Sequence, residues 1–449
     1  MNRTIGIKTL LIAALALALL VPVNMIRDLI AERQARRNEA LEGIALGWGK
    51  RQALAGPYLL IPYERSWTET TRETIDGALK ERRSERTESL RLRLAVERVH
   101  WSIAAATHEK TRGIYKARLY TAHIEAEGSI ALPAHFGEHD PQYRYRWGTP
   151  QLVLGISDPR GIRSVSPLSL EGASFAFAPG AGDGALAAGI HADLGFGPAA
   201  EARTLAFGFS LELAGSEAFS IVPLGRDTSV AMRANWPHPS FQGVFLPAKS
   251  ERLDNGFSAE WQVSRYAAQG AERLAACRKD PCAGLTAQDL GVSFIEAVGV
   301  YQQLERASKY GFLFIGLMFA AFFLFELLRR LAMHPIQYAL IGLALAIFFL
   351  LLTALSEHLH FGLAYALATL ACVGIVTAYV VRVLQSGAIG LAFGGALAAL
   401  YAVLYVLLQA EDHALLGGSV LLFLLLAATM LATRNVDWYR LTRRESVRE

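Results

Sequence analysis

Two short stretches carry residue types that could do chemistry together. Glu357, His358 and His360 stand in one segment, and Glu411, Asp412 and His413 form a second. Carboxylate oxygens and neutral imidazole nitrogens ligate divalent metals, and imidazole changes charge close to neutral pH. If both segments emerge on one face of a membrane, they could converge on a divalent cation or act as a pH sensor. A plainer reading takes precedence, because short loops between membrane helices must be polar. No metal ligand is therefore assigned.

Cys277 and Cys282 frame CRKDPC. In an oxidising compartment this pair would close a small disulfide loop. A metal or redox pair is the rival, but the spacing is not C-x-x-C and no nearby His completes a ligand set. Cys372 lies mid-run among apolar residues and reads as a small packing side chain. Glu326 precedes Arg329 and Arg330 by one helical turn, so an interfacial ion pair at i+3 and i+4 is expected rather than a proton-handling carboxylate. Gly390 and Gly394 form a G-x-x-x-G that lets helix backbones approach, for packing within a bundle or, secondarily, for dimerisation. His238, in Trp236-Pro237-His238-Pro239, belongs to a rigid turn joining two strands.

No phosphate loop, nucleophile elbow, H-E-x-x-H or dinucleotide fingerprint occurs in the chain. No catalytic residue and no cofactor are assigned, and a non-catalytic protein is expected.

The elements that would carry these residues are long apolar runs. Ile5–Ile26, Gly311–Leu328, Ile336–Leu355, Phe361–Val381, Ala388–Leu408 and Ala414–Thr433 each approach the length needed to cross about 30 Å of hydrocarbon. The first run ends in Val21-Pro22-Val23-Asn24-Met25-Ile26 and lacks the small residues of a cleavage site, so it reads as an uncleaved anchor. Arg3, Lys8, Arg329, Arg330, Arg382, Arg434, Arg440, Arg443, Arg444 and Arg448 fall on one side of an alternating six-helix path. The loops Ser356–His360 and Gln409–His413 carry neither Lys nor Arg. Basic loops stay inside, so both termini are expected in the cytoplasm. Arg27, Arg33, Arg36 and Arg37 follow the first run on the outer side, but long segments translocate largely regardless of charge. Tyr301, Tyr310, Trp438 and Tyr439 stand where interfacial aromatics belong.

Of the 449 residues 53% are hydrophobic, too many for a soluble enzyme of this length. The net charge of +4 owes much to the basic residues of the inner loops and tail, so it argues for topology and against nucleic-acid binding. Residues 27–310 form a polar insertion large enough for its own core. Within it, 27–49 continues the first helix until Gly47, Gly49 and Gly56-Pro57 stop it, and 57–301 turns to a period of two. In Leu90–Val96, Leu90, Leu92, Leu94 and Val96 alternate with Arg91, Arg93 and Ala95, as a half-buried strand requires. Gly113–Glu125, Leu152–Ile156, Thr204–Leu213, Ser229–Asn235, Gln242–Leu246, Phe257–Val263 and Val292–Tyr301 are further strands, and Asp76-Gly77 marks a hairpin. Ala173–Ala202, rich in Gly and Ala, reads as a long connection. The expected fold is a polytopic α-helical membrane protein of six helices with a large periplasmic β-rich domain, an antiparallel sandwich or open barrel, between helices one and two. The domains are an anchor at 1–26, the periplasmic domain at 27–310, a five-helix bundle at 311–434 and a cytoplasmic tail at 435–449.

Six stretches carry a resemblance: GPYLLIPY at Gly56–Tyr63, RGIYKARLY at Arg112–Tyr120, NWPHPSFQGVFLP at Asn235–Pro247, the block Lys309–His358, EDHALLGGSVLLF at Glu411–Phe423 and RNVDWY at Arg434–Tyr439. Through them the chain resembles the CreD family of bacterial inner-membrane proteins over essentially its whole length. CRKDPC and the segment 173–202 match no pattern of that family. The resemblance implies an inner-membrane component connected with envelope integrity, colicin tolerance and the response to cell-wall stress under a two-component system. It supplies no catalytic residues. The expected partners are the lipid bilayer and an envelope protein, lipid or wall component, with homo-oligomerisation open. The alternative function is a transporter or channel gated by the periplasmic domain.

Overall fold

The computed structural model describes residues 10–11, 14–75, 78–182, 186–277, 284–295, 299–329, 334–409, 418–420, 423, 427 and 430–431. Two compact units divide the chain: one comprises Met1–Asn38 with Val298–Glu449, the other Glu39–Ala297. These borders reflect packing, whereas the expected borders at 26/27 and 310/311 concern the lipid surface.

The second unit is β-rich. Its long strands are β1 (Gln52–Ile75), β2 (Ala78–Ala95), β3 (Arg98–Arg112) and β4 (Tyr115–Leu132). Shorter ones follow: β5 (Arg144–Trp147), β6 (Gln151–Ile156), β7 (Ile162–Val165), β8 (Leu168–Leu170), β9 (Ala173–Phe175), β10 (Phe177–Pro179) and β11 (Gly189–Asp193). The set closes with β12 (Arg203–Ser216), β13 (Ala218–Val222), β14 (Asp227–Ala234), β15 (Ser240–Gly243), β16 (Lys249–Leu253), β17 (Gly256–Val263) and β18 (Leu290–Ser293). One nine-stranded sheet runs β10-β11-β6-β1-β13-β18-β15, with β2 and β5 also paired to β1. The other runs β16-β17-β14-β3-β4-β12-β8-β9, with β7 on β12.

Alternation explains how the sheets meet. Val99, Trp101, Ile103 and Ala105 of β3 are buried while His100, Ser102, Ala104 and Ala106 are exposed. The same period puts Phe207, Phe209 and Leu211 of β12 and Phe257, Ala259 and Trp261 of β17 inside. These residues share one core with Leu59, Ile61 and Tyr63 of β1 and Leu152 and Leu154 of β6. Two sheets covering one interior is the sandwich solution. The first part of β1, to Ile61, is buried on both faces, because Tyr58 and Leu60 meet Leu274 and Leu285 in a second cluster. That accounts for its unbroken apolar run, which alternation alone would not produce.

Several details correct the expectations. Gly56-Pro57 does not stop a helix; it lies inside β1, at a register shift between Ala55 and Tyr58 where a missing N–H is tolerated. The pairing is not wholly antiparallel, since β1 with β13 and β3 with β14 run parallel. The supposed connection Ala173–Ala202 contains β9, β10 and β11, too short for a period to show. Val292–Tyr301 is a strand only to Ser293, and a helix begins at Val300. β15 ends at Gly243, short of Leu246. The turn Asp76-Gly77 lies outside the described residues, but β1 and β2 pair up to Ile75 and Ala78 on either side of it.

Helix α1 (Leu20–Trp48) ends where Gly49 takes φ +141° and passes so close to Ala214 that a side chain would meet its carbonyl at 2.5 Å. Trp48 then locks the end of α1 to the sheets. Its indole N–H donates to the Tyr120 carbonyl at 3.3 Å. Lys110 Nζ and the Arg163 guanidinium lie 3.9 and 4.6 Å from its ring centre. Next to it Asp158 accepts from the Lys50 backbone N–H at 3.0 Å and from Arg160 Nε at 2.8 Å. The Arg160 hydrogen bond chiefly holds this carboxyl below its ordinary titration range. Short helices α2 (Arg265–Ala268) and α3 (Gly270–Ala276) follow β17.

The first unit is helical. It holds the start of α1 with α4 (Val300–Arg329), α5 (Pro335–Ser356), α6 (Phe361–Leu384) and α7 (Gly387–Gln409). Ala14–Trp48, α5, α6 and α7 are each long and apolar enough to cross a membrane. The run Gly311–Leu328 lies in α4, and most of Ala414–Thr433 lies outside the described residues. α5 starts sharply because Pro335 sits in its first turn and His334 and Gln337 form a capping box.

Candidate functional site

The loop between α5 and α6 places Glu357, His358 and His360 side by side, and the Glu357 carboxylate and the His360 ring each have a structural task. Glu357 Oε1 accepts from the Tyr301 hydroxyl at 3.2 Å and stands 3.6 Å from Arg33 Nε. The carboxylate side chain is only 10% exposed, while that of Arg33 is 38% exposed. His360 Nδ1 accepts from the Gly362 N–H at 3.3 Å and caps α6. His358 donates its backbone N–H to Leu355. Glu411, Asp412 and His413 lie outside the described residues, and among the described residues no His, Cys, Asp and Glu group could hold a metal.

Cys277 is disulfide-bonded, Cys372 is free and buried, and Cys282 lies outside the described residues. The fully buried Arg93 donates to the Cys277 carbonyl and lies 3.3 Å from its Sγ, which ties the end of α3 to β2. The side chains of Glu326 and Arg329 and the whole of Arg330 fall outside the described residues. Gly390 and Gly394 face α6: a Cβ on either would collide with Val381 or Thr377. Trp236 donates its indole N–H to the His238 carbonyl at 2.7 Å, and Arg118 stacks 4.4 Å from the Trp236 ring centre. His238 thus belongs to a pinned turn.

The feature that sequence reading missed is a polar groove of about 710 Å³ on the outer face of the second sheet. Register builds it. Gln262 pairs with Ser229, Ser229 with His100, and His100 with Glu127, so β17, β14, β3 and β4 each contribute to one row. Arg98, Ser129, Asp227 and Ser264 also line it, with Val99, Gly128, Thr228 and Val263 beneath and between them. At one end Arg265 Nη2 bonds Glu97 Oε1 at 2.9 Å and Asp227 Oδ2 at 3.1 Å. That bond chiefly keeps Asp227 ionised below the usual carboxylate range.

His100 Nδ1 and Ser229 Oγ lie 2.9 Å apart, the spacing of a base and a nucleophile. The strands around the pair are joined by sheet ladders. The groove offers donors in Arg98, His100 and Gln262, acceptors in Glu127 and Asp227, and serine hydroxyls between them. Such a lining suits a ligand dense in hydroxyl and amide groups.

A family model described as Inner membrane protein CreD matches residues 4–439. The Inner membrane protein CreD of Escherichia coli (strain K12) is 34% identical over 431 residues, which cover 94% of this chain and 91% of that protein. Among solved structures, an M1 zinc metallopeptidase from Deinococcus radiodurans aligns over 48% of this chain and 53% of that one, at 8% identity and a TM-score of 0.20. A mutant of that enzyme aligns over 44% and 42%, at 9% identity and a TM-score of 0.21. At those scores neither fold nor activity transfers. With apolar helices long enough to span a bilayer and a match along nearly its whole length, the chain belongs to the CreD family of inner membrane proteins.

Proposed function

We propose that this chain is a multi-pass envelope-integrity protein of the inner membrane whose β-rich unit binds a component of the cell envelope. Both termini lie in the cytoplasm, and the insertion between the first two membrane helices lies in the periplasm. The one-sided distribution of Lys and Arg in the short loops supports this orientation. The polar groove carries the binding reading: it has the volume of a ligand site and a lining matched to the sugars and amides of wall material. The role is non-catalytic, and the groove recognises rather than transforms.

The transporter alternative lacks a comparable observation. Helices α5, α6 and α7 carry one charged residue, Arg382, in the last turn of α6. A photo-crosslinking residue at Gln262 tests the binding reading in living cells. Covalent capture of a wall fragment is expected there and not from Glu251, on the exposed edge strand β16. Equal adducts at both positions, or none at Gln262, would remove the groove from the account.

A further inference from the structure

Strands β1 and β2 form a long hairpin arm in the β-rich unit. The two strands pair without interruption from Tyr58 opposite Ala95 to Ile75 opposite Ala78. The other edge of β1 is occupied at its base, by β6 up to Leu60 and by β5 from Tyr63 to Ser66. Beyond Ser66, among the described residues, no strand joins that edge, and Thr68, Glu69, Thr70 and Thr71 are exposed. Trp67 still packs edge to face on Tyr143 at 5.7 Å, and from Thr68 to Ile75 the described strands form a two-stranded ribbon about 25 Å long.

Such a ribbon is marginal in water unless a third strand or an apolar face supports it. Arg82 and Arg86 on one face of β2 and Arg83 and Glu85 on the other are exposed, so neither face is apolar from Arg82 to Arg86. The ion pairs Arg65–Glu88 and Arg86–Glu69, both at 2.8 Å, hold the strands in register. Partly or fully exposed pairs of this kind add little stability.

Charge placement says which edge accepts a further strand and what adds. A two-fold axis perpendicular to a sheet pairs a strand with its own copy about one central residue. Along β2 the charges veto this. Centred on Ser84, Arg82 would face Arg86; centred on Arg83, Glu81 would face Glu85. Edge charges of this density are how sheets refuse partners. The open edge of β1 reads Trp67-Thr68-Glu69-Thr70-Thr71-Arg72-Glu73. Centred on Thr70, it sets Glu69 opposite Thr71, Thr68 opposite Arg72 and Trp67 opposite Glu73, with no like charges facing. A shift to Thr71 would set Glu69 against Glu73, which fixes the register.

We propose that the arms of two copies of this chain join edge to edge through β1, antiparallel about Thr70, into a four-stranded β2–β1–β1–β2 sheet. The interaction is independent of the groove reading, since no groove residue takes part. Each β1 then gains the second sheet neighbour that it lacks in a lone ribbon, and β2 stays at the charged outer edge.

Cysteine crosslinking of the full chain in native membranes tests this, in a Cys372→Ala background that removes the free buried thiol. Thr70→Cys places two thiols directly opposite, with Cβ atoms about 5 Å apart. Mild oxidation should then double the apparent mass on a non-reducing gel, while Ser84→Cys on the β2 edge stays at the mass of one copy. Thr70→Pro removes an edge N–H and should return the detergent-solubilised protein from two copies to one by light scattering. Equal crosslinking of both cysteine variants would overturn the proposal. So would a Thr70→Cys variant that remains uncrosslinked, or one captured only on a different protein.

Discussion

Trp101→Ala should lower the stability of the β-rich unit by about 3–5 kcal/mol, the cost of emptying a large buried aromatic site. Trp101 is fully buried on β3 and meets Phe209 of β12 edge to face at 6.2 Å. It stands in the interior shared by both sheets, so its loss is felt across the sandwich. Ser102, the next residue, points outward and is exposed. Ser102→Ala should change stability by no more than about 0.5 kcal/mol. Urea unfolding of the fragment 39–297, which carries its own core, measures both. Equal midpoints for the two variants would mean that the sheets do not share the interior described.

Gly390→Val should destabilise the helical unit by about 1–3 kcal/mol through overpacking. A Cβ at Gly390 would collide with the Val381 side chain and lie 2.8 Å from Val381 Cα, so backbone, not a flexible tip, must move. The same change at Gly395, where a Cβ meets nothing within 4 Å, should leave stability unchanged. Thermal unfolding of the full chain in detergent separates the two. If Gly395→Val were the more damaging, the small-residue face would serve a contact other than α6.

Much of the β-rich unit is legible in residue order, because alternation is a local signal. The strands at Leu90–Val96, Leu152–Ile156 and Phe257–Val263 announce themselves by period or by an apolar run between turn residues. β9 and β10, of three residues each, are too short to show a period. Gly56-Pro57 reads as a breaker from composition, yet the register shift in β1 accommodates it.

The groove illustrates a different limit. Alternation marks His100, Glu127, Ser229 and Gln262 as outward-facing, but only strand order and register bring them into one row. β3 pairs with β14 across more than a hundred residues, and no local pattern predicts that parallel join. The segment at Glu357 shows the reverse limit. Its residue types suit a metal, while Arg33 and Tyr301, distant in sequence, already engage the carboxylate.

Labelling of Ser102→Cys with a membrane-impermeant maleimide tests most directly whether the β-rich unit faces the periplasm. Ser102 is exposed on an outer sheet face, Cys277 is disulfide-bonded and Cys372 is buried, so the new thiol supplies the signal. Spheroplasts with sealed inner membranes should label fully before lysis. Labelling that appears only after the membrane is broken would place the unit in the cytosol and contradict the orientation proposed for this family member.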